Sequence, residues 1–172
     1  MLRKEKILEL FKKLNDELVT IGDFGEIGIV GGTVMCLVYN TRDATKDVDA
    51  IFEPKLILIK LAKKIAAQEG LPSDWLNDAA KGFIQPGFMK QEVLSLSNLR
   101  IWAPEPKYML AMKCLSARWD TNDRDDVIFL INYLKLKSAE KVFQIIEKFY
   151  PKNKIAAKTM FFIEEILGNA TD

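Results

Sequence analysis

The chain has 172 residues, of which 49% are hydrophobic and 28% are charged, and its formal net charge is +1. These values are typical of a globular protein, and a charge so close to zero gives no reason to expect general nucleic-acid binding. The sequence contains no histidine, which excludes Ser-His-Asp and Cys-His nucleophilic sites and HExxH metal sites, so any chemistry must use carboxylates, lysines, hydroxyls, backbone amides or a bound hard cation.

Apolar residues in the first twenty positions recur at helical spacing, which predicts an amphipathic N-terminal helix whose basic residues form a solvated face. The segments EIGIVGG and KDVDAIF are predicted to be strands, the second because Asp47 and Asp49 alternate with apolar residues. The segment TVMCLVYN between them is predicted to be a helix, and a longer helix runs from Pro54 to a capping Gly70. The order strand, helix, strand, helix indicates an α/β start.

Beyond residue 70 the pattern is less regular until Pro104. The segment QEVLSLSNLRIWA could form two short strands around a turn at Ser97 and Asn98, or one strand with a break. After Pro104, segments of helical periodicity follow one another to Gly168. We therefore predict an α/β fold of the α+β type, with a small mixed sheet in residues 1–103 and a helical bundle in residues 104–172.

The sequence also bears on the cellular compartment. No run of about 18 apolar residues occurs, so no membrane span is predicted, and the N-terminus alternates charged with apolar residues, unlike a signal peptide. Cys36 and Cys114 are too few and too far apart for a disulfide framework or a zinc site, and both have apolar neighbours. We expect a cytoplasmic protein with two buried free thiols.

Asp47 and Asp49 are the most informative pair of residues. Residues two apart in a strand project from one face, so these carboxylates would lie about 7 Å apart along the backbone. Their mutual repulsion on an apolar strand would be offset by a divalent cation. The preceding Gly31 and Gly32 would allow the backbone to approach a phosphate, and Thr33 adds a hydroxyl. These parts are typical of a site for a metal-bound nucleoside triphosphate, although exposed strands also often carry acidic residues.

The double glycine, the helix and the strand with two aspartates resemble the signature of the nucleotidyltransferase superfamily with the DNA polymerase β-like fold. The chain is more closely similar to a prokaryotic subgroup of short nucleotidyltransferase-like proteins. The matching segments are Gly-Gly-Thr (31–33), RDATKDVD (42–49), LPSDWLND (71–78), LAMKCLSAR (110–118) and DRDDV (123–127). It resembles, more distantly, the nucleotidyltransferase toxins of abortive-infection toxin–antitoxin pairs.

The resemblance implies transfer of a nucleoside monophosphate from a nucleoside triphosphate to a hydroxyl of an unknown acceptor, which would be a protein, an RNA or a small molecule. It implies Mg²⁺ or Mn²⁺ as the cofactor, a sheet of the nucleotidyltransferase type, and an antitoxin or another protein as a partner. It assigns metal binding and catalysis to Asp47 and Asp49. It assigns nucleotide binding to Gly31, Gly32, Thr33, Lys46, Lys113 and Arg118, and supporting roles to Asn77, Asp78, Asp123 and Asp126.

The supporting residues also have a structural interpretation. The basic and acidic side chains of the helical region could instead form a lattice of ion pairs between two helices; these are Lys113, Arg118, Asp123 and Asp126. Asn77 and Asp78 could serve as capping or turn groups, next to Trp75 and Leu76 as core residues.

The resemblance is incomplete at one catalytic position. Active members of the superfamily usually carry a third carboxylate on a later strand, and Glu92 is the only acidic residue of QEVLSLS. Glu92 lies near the beginning of that strand, with Leu94 and Leu96 on the same face. The alternative function is therefore a catalytically degenerate module that binds a nucleotide or a protein and has the same fold.

Overall fold

The computed structural model describes residues 1–116 and 122–168. Within these ranges the helices are α1 (Lys4–Ile21), α2 (Gly31–Leu37), α3 (Lys55–Glu69), α4 (Pro106–Ser116), α5 (Asp123–Tyr133), α6 (Ala139–Phe149) and α7 (Ala157–Gly168). The strands are β1 (Leu2–Arg3), β2 (Gly25–Ile29), β3 (Ala44–Thr45), β4 (Val48–Glu53), β5 (Leu76–Asn77), β6 (Lys90–Ser95) and β7 (Leu99–Pro104). The predicted α+β fold class is confirmed.

The chain forms two compact units. The sheet unit comprises Met1–Gly82 and Lys90–Pro104, and the helical unit comprises Phe83–Met89 and Glu105–Asp172, of which 117–121 and 169–172 lie outside the described residues. Two tyrosines explain why the segment before β6 belongs to the helical unit. The Tyr108 hydroxyl accepts a hydrogen bond from the Gln85 amide at 2.6 Å, and the Tyr150 hydroxyl donates one to the Phe83 carbonyl at 2.6 Å.

The sheet unit contains a mixed five-stranded sheet with the order β5-β4-β2-β7-β6. The central strand β2 is antiparallel to β4 and parallel to β7, while β5 is parallel to β4 and β6 is antiparallel to β7. The first of the two predicted arrangements for residues 91–103 is therefore confirmed, with two strands joined around Ser97 and Asn98. The Asn15 side-chain oxygen accepts a hydrogen bond from the Asn98 amide at 2.8 Å and holds this turn against α1.

One face of the sheet packs against α1 and α3. Gly25 on this face lies so close to Leu18 and Leu58 that an added Cβ would come within 3.0–3.1 Å of their side chains. On β4, the buried residues Val48, Ala50 and Phe52 alternate with residues of intermediate or high exposure, which confirms the predicted period of two. Asp49 projects from the opposite face, and Asp47 lies immediately before the strand.

The helical unit is organised around α4, which packs against α5 and α6, while α7 packs against α6. Buried residues of α4 include Tyr108, Leu110 and Met112, and the face of α6 that meets this core carries Val142 and Ile146. The apolar spacing of these helices is what predicted them from the sequence. None of the helices in the described residues is both long enough and apolar enough to span a membrane.

Candidate functional site

A glycine corner joins β2 to α2. Gly31 has φ +62°, in the left-handed region that residues with a side chain rarely adopt. The Asp49 carboxylate lies beside this residue, since a Cβ added at Gly31 would stand 3.4 Å from Asp49 Oδ2. The Val30 amide also donates to the Asp49 carbonyl at 3.0 Å. The two predicted parts, the glycine pair and the second aspartate, are therefore adjacent.

The second glycine of the corner lies against the loop that precedes β4. A Cβ added at Gly32 would stand 3.0 Å from Thr45 Oγ1 and 3.3 Å from Arg42 Nη1. This contact brings Arg42 and Thr45 to the site, although the reasoning from sequence assigned a role to neither. The available signal was the motif RDATKDVD, which contains both residues.

Two threonines hold the backbone at Asp47. Thr33 Oγ1 and Thr45 Oγ1 both donate to the Asp47 carbonyl, at 3.3 and 3.2 Å, which are long hydrogen bonds for hydroxyl donors. Both threonines are buried, Thr33 with 1% of its surface exposed. The Thr33 hydroxyl is therefore directed at the main chain of Asp47, where it positions that residue.

Asp47 and Asp49 are both half-buried, and Lys46 beside them is exposed. Asp47 lies in a bend just before β4, whereas Asp49 lies in the strand, so the predicted position on the exposed strand face is shown for Asp49 only. Within residues 1–116 and 122–168, no group of three or more His, Cys, Asp or Glu residues is placed to hold a metal ion. The pair offers carboxylate oxygens only, which is the ligand type that Mg²⁺ takes in ones and twos.

Glu92 lies on β6, the edge strand on the other side of the sheet. It is separated from the aspartate-bearing β4 by β2 and β7, a distance of about 14 Å at the usual spacing of strands. The β7 residues that share a sheet face with Asp49 are Arg100, Trp102 and Pro104, as the strand register shows. The sheet therefore brings no third carboxylate from β6 or β7 to the aspartate pair.

Trp102 fills the face of the sheet beside the aspartate strand. Its ring covers Gly28 of β2, and its Nε1–H donates to Glu26 Oε1 at 2.6 Å. Lys90 Nζ lies 4.4 Å from the centre of the Trp102 ring and 2.6 Å from the same glutamate oxygen. The Lys90 hydrogen bond, assisted by that of Trp102 and opposed by desolvation, lowers the pKa of Glu26 below its usual value.

Asn77 and Asp78 lie on the other side of β4. Asn77 is the β5 partner of Asp49 in the parallel pair, and its side-chain oxygen accepts a hydrogen bond from the Ala79 amide at 3.0 Å. Asp78 forms an ion pair with Lys55 at 2.5 Å, and this hydrogen bond lowers the pKa of the Asp78 carboxyl. Asn77 therefore acts as a turn group, as the structural interpretation proposed, at a position next to Asp49.

Lys113 of α4 lies between two carboxylates of α5. Its ammonium is 2.7 Å from both Asp123 Oδ1 and Asp126 Oδ2, and the side chains of Lys113 and Asp126 are only 7% and 3% exposed. This is the ion-pair lattice between two helices that the sequence left open as an alternative to phosphate binding. Arg118, the other basic residue predicted for this block, lies outside the described residues.

Comparison of the chain with protein-family models, curated proteins and solved structures gave no match. The resemblance to nucleotidyltransferases therefore rests on the sequence motifs of this chain alone.

Proposed function

We propose that the sheet unit binds a nucleoside triphosphate together with Mg²⁺ or Mn²⁺ and transfers a nucleoside monophosphate to a hydroxyl of an acceptor. The observation that carries this proposal is the contact between Asp49 and Gly31. A carboxylate lies beside a corner whose backbone conformation favours glycine, and a second carboxylate, Asp47, lies two residues before it. Among the described residues, only the Asp49 side chain lies within 4 Å of the place where a Cβ of Gly31 would stand, so a polyphosphate can approach Gly31 beside this carboxylate.

The side chains fit the proposed cation. Asp47 and Asp49 would hold it, because Mg²⁺ commonly takes one or two carboxylates and leaves its other positions to water and substrate phosphates. Bound there, the cation would neutralise phosphate charge and orient the phosphate for in-line displacement. The histidine-free composition suits this chemistry, which depends on positioning and on electrostatic stabilisation.

The remaining residues of the corner would orient the substrate. Gly31 would leave room for the phosphates, and the exposed Lys46 would contact them as a cation. Gly32 would contribute its backbone only, because Thr45 and Arg42 lie against its Cβ position. Thr33 would keep the Asp47 backbone in place. In the transfer, the acceptor oxygen bonds to the α-phosphorus, and the bond between the α-phosphorus and the oxygen that bridges it to the β-phosphorus breaks. Pyrophosphate leaves with that oxygen, and the hydroxyl proton passes to water.

We further propose that the reaction takes place in the cytoplasm on a protein, RNA or small-molecule acceptor, and that an antitoxin-like protein controls it. A reducing compartment agrees with the two buried cysteines, Cys36 and Cys114, which are both free. The likeness to the toxins of toxin–antitoxin pairs is what suggests the controlling protein.

A second candidate function is nucleotide binding without turnover. Trp102 and Glu92 favour it, because the first covers the sheet face beside the aspartate strand and the second lies on the distant edge strand β6. A site with two carboxylates could still bind a metal–nucleotide complex through the same corner.

Calorimetry with a nucleoside triphosphate, with and without Mg²⁺, tests both candidates. The informative variants are Asp47→Asn and Asp49→Asn, and the matched controls are Asp74→Asn, at an exposed position, and Glu92→Gln. We expect Mg²⁺-dependent binding by the wild type and both controls, and its loss in the two site variants.

Pyrophosphate release, measured with bulk RNA, the protein itself or a small-molecule cell extract as the acceptor, separates the two functions. Release that depends on Asp47 and Asp49 identifies a transferase. Binding without release identifies the second candidate. If the wild type shows no metal-dependent binding, or if the two site variants bind like the controls, both candidates are wrong.

A further inference from the structure

A basic cavity of about 370 Å³ lies in the sheet unit. Three of its lining residues are cations, Arg3, Lys4 and Arg42, and two are acids, Glu5 and Asp43. Cys36 and Asn40 complete the lining. The lining of the cavity therefore has one more cation than acids. These charged side chains surround a concave space and do not lie on a flat helix face.

The cavity is assembled from two distant parts of the sequence. The short strand β1 pairs with β3, so that Arg3 lies opposite Ala44 in an antiparallel ladder. Lys4 Nζ donates to the Asn40 side-chain oxygen at 2.7 Å and ties the start of α1 to the same loop. These contacts carry two cations to the loop that leads into Asp47. From the sequence periodicity alone, Arg3 and Lys4 are predicted only to lie on the solvated face of the N-terminal helix.

Arg42 connects the cavity to the glycine corner. It lines the cavity, and its Nη1 lies 3.3 Å from the place where a Cβ of Gly32 would stand. The next residue back along the chain, Gly31, has the Asp49 carboxylate beside it. Arg42 therefore borders both the glycine corner and the cavity.

We propose that this cavity is the subsite for the terminal phosphates of the nucleotide, a proposal that rests on the proposed function. Guanidinium groups bind phosphate through two parallel hydrogen bonds, and lysine contributes a point charge. Arg3, Lys4 and Arg42 provide both kinds of group in one cavity, and Arg42 also contacts Gly32. The subsite makes the protein selective for a nucleoside triphosphate over the corresponding monophosphate, which lacks the terminal phosphates.

The first test compares the binding of a nucleoside triphosphate with that of the corresponding monophosphate, both in the presence of Mg²⁺. The variants are Arg3→Gln and Lys4→Gln, and the control is Lys12→Gln, an exposed cation of α1. We expect each variant to bind the triphosphate about tenfold more weakly than the control, since one charge-assisted hydrogen bond is lost, and to bind the monophosphate equally well. Arg3 is exposed, so its replacement should leave folding intact, which the thermal midpoint would verify.

The second test uses inorganic tripolyphosphate in EDTA, where no metal takes part. We expect the wild type, Asp49→Asn and Lys12→Gln to bind it, and Arg3→Gln and Lys4→Gln to bind it at least tenfold more weakly. Binding should also weaken steeply as salt rises, because the contacts are ionic.

The outcomes separate the two proposals. If the Asp49 variant loses Mg²⁺-dependent nucleotide binding while both cation variants bind like Lys12→Gln, the proposed nucleotide site is supported and the proposed phosphate subsite is wrong. If the aspartate variants bind nucleotide normally, the proposed function is wrong and the tripolyphosphate measurement still decides whether the cavity binds phosphate. An equal loss of monophosphate and triphosphate binding in the cation variants also overturns the subsite.

Discussion

The indole ring of Trp102 lies directly over Gly28, its register partner on the neighbouring parallel strand. The ring occupies the space that a side chain at Gly28 would take, and it donates a hydrogen bond of 2.6 Å to Glu26. Lys90 covers the outer side of the ring at 4.4 Å from its centre. Gly28, Trp102 and Lys90 thus form a layered arrangement over the central strands.

Gly28→Ala should be clearly destabilising. The new methyl would overlap the Trp102 ring, and overpacking of this kind costs roughly 1–3 kcal/mol of unfolding free energy. Urea unfolding followed by circular dichroism measures the effect. Gly82→Ala is the matched control, because nothing lies within 4 Å of its added Cβ, and it should change stability by no more than about 0.5 kcal/mol. Equal midpoints for the two variants would contradict the contact.

Gly31→Ala and Gly22→Ala form a second matched pair. Both glycines have left-handed backbones, with φ +62° and +68°, so each alanine should cost about 1–2 kcal/mol of stability. They differ in their surroundings, because the methyl at 31 would stand 3.4 Å from Asp49 Oδ2 and the methyl at 22 would meet nothing within 4 Å.

Comparison of the two variants should therefore distinguish the effect of backbone strain on stability from the effect of the new methyl group on nucleotide binding. We expect Gly31→Ala to weaken metal-dependent nucleotide binding about tenfold or more, since the methyl would occupy the room beside the carboxylate and a charge-assisted contact would be lost. Gly22→Ala should bind like the wild type at the same temperature. Calorimetry on both, with unfolding curves as the reference, checks this. Similar binding by the two variants would argue against a ligand at the glycine corner.

Local sequence patterns predicted the longer helices and strands of this fold, but not the two-residue strands β1, β3 and β5. The alternation from Val48 to Phe52 predicted β4 and the face of Asp49, because side chains of a strand alternate in direction whatever the strand pairs with. The glycine at position 70 predicted the end of α3, and its left-handed backbone confirms that role.

Contacts between distant segments could not be predicted in this way. The cavity of Arg3 and Lys4 depends on the pairing of β1 with β3, and the layer of Trp102 over Gly28 depends on the order of the strands. Periodicity within a segment carries no information on either. The partner of Lys113 could not be predicted for the same reason. The position of this residue in the sequence of α4 is compatible both with a phosphate contact and with the two carboxylates that lie beside it in the structure.

Lys113→Ala should destabilise the helical unit strongly. It would leave the carboxylate of Asp126, with a side chain only 3% exposed, without the ammonium 2.7 Å away, and removing one partner of a buried ion pair typically costs 3–5 kcal/mol. Lys107→Ala, an exposed lysine on the same helix, should change stability by less than about 0.5 kcal/mol. Thermal and urea unfolding of the two variants measure the difference. A loss below about 1 kcal/mol for Lys113→Ala would mean that this ion pair does little for the fold.

Glu69 should make the free energy of unfolding depend on pH in the acidic range. Hydrogen bonds from Lys13 and then Lys6 lower the pKa of this carboxyl from 4.5 to about 2. Because the folded-state pKa lies below the unfolded one, the interaction stabilises the fold fully above about pH 4.5 and is lost as the pH falls towards 2. Glu69→Gln should remove that loss, so its urea midpoint should fall less than that of the wild type between about pH 5 and pH 3.

The size of this pH effect should be modest and sensitive to salt. The side chains of Lys6 and Lys13 are 33% and 37% exposed, so water and ions screen their attraction to Glu69. In about 1 M NaCl, where the screening length is only about 3 Å, the wild type and Glu69→Gln should show nearly the same pH dependence. Glu164→Gln, at an exposed position of α7, is the control and should follow the wild type at low salt. A wild type whose midpoint is constant over this pH range would show that the bridge between α1 and α3 contributes nothing to stability.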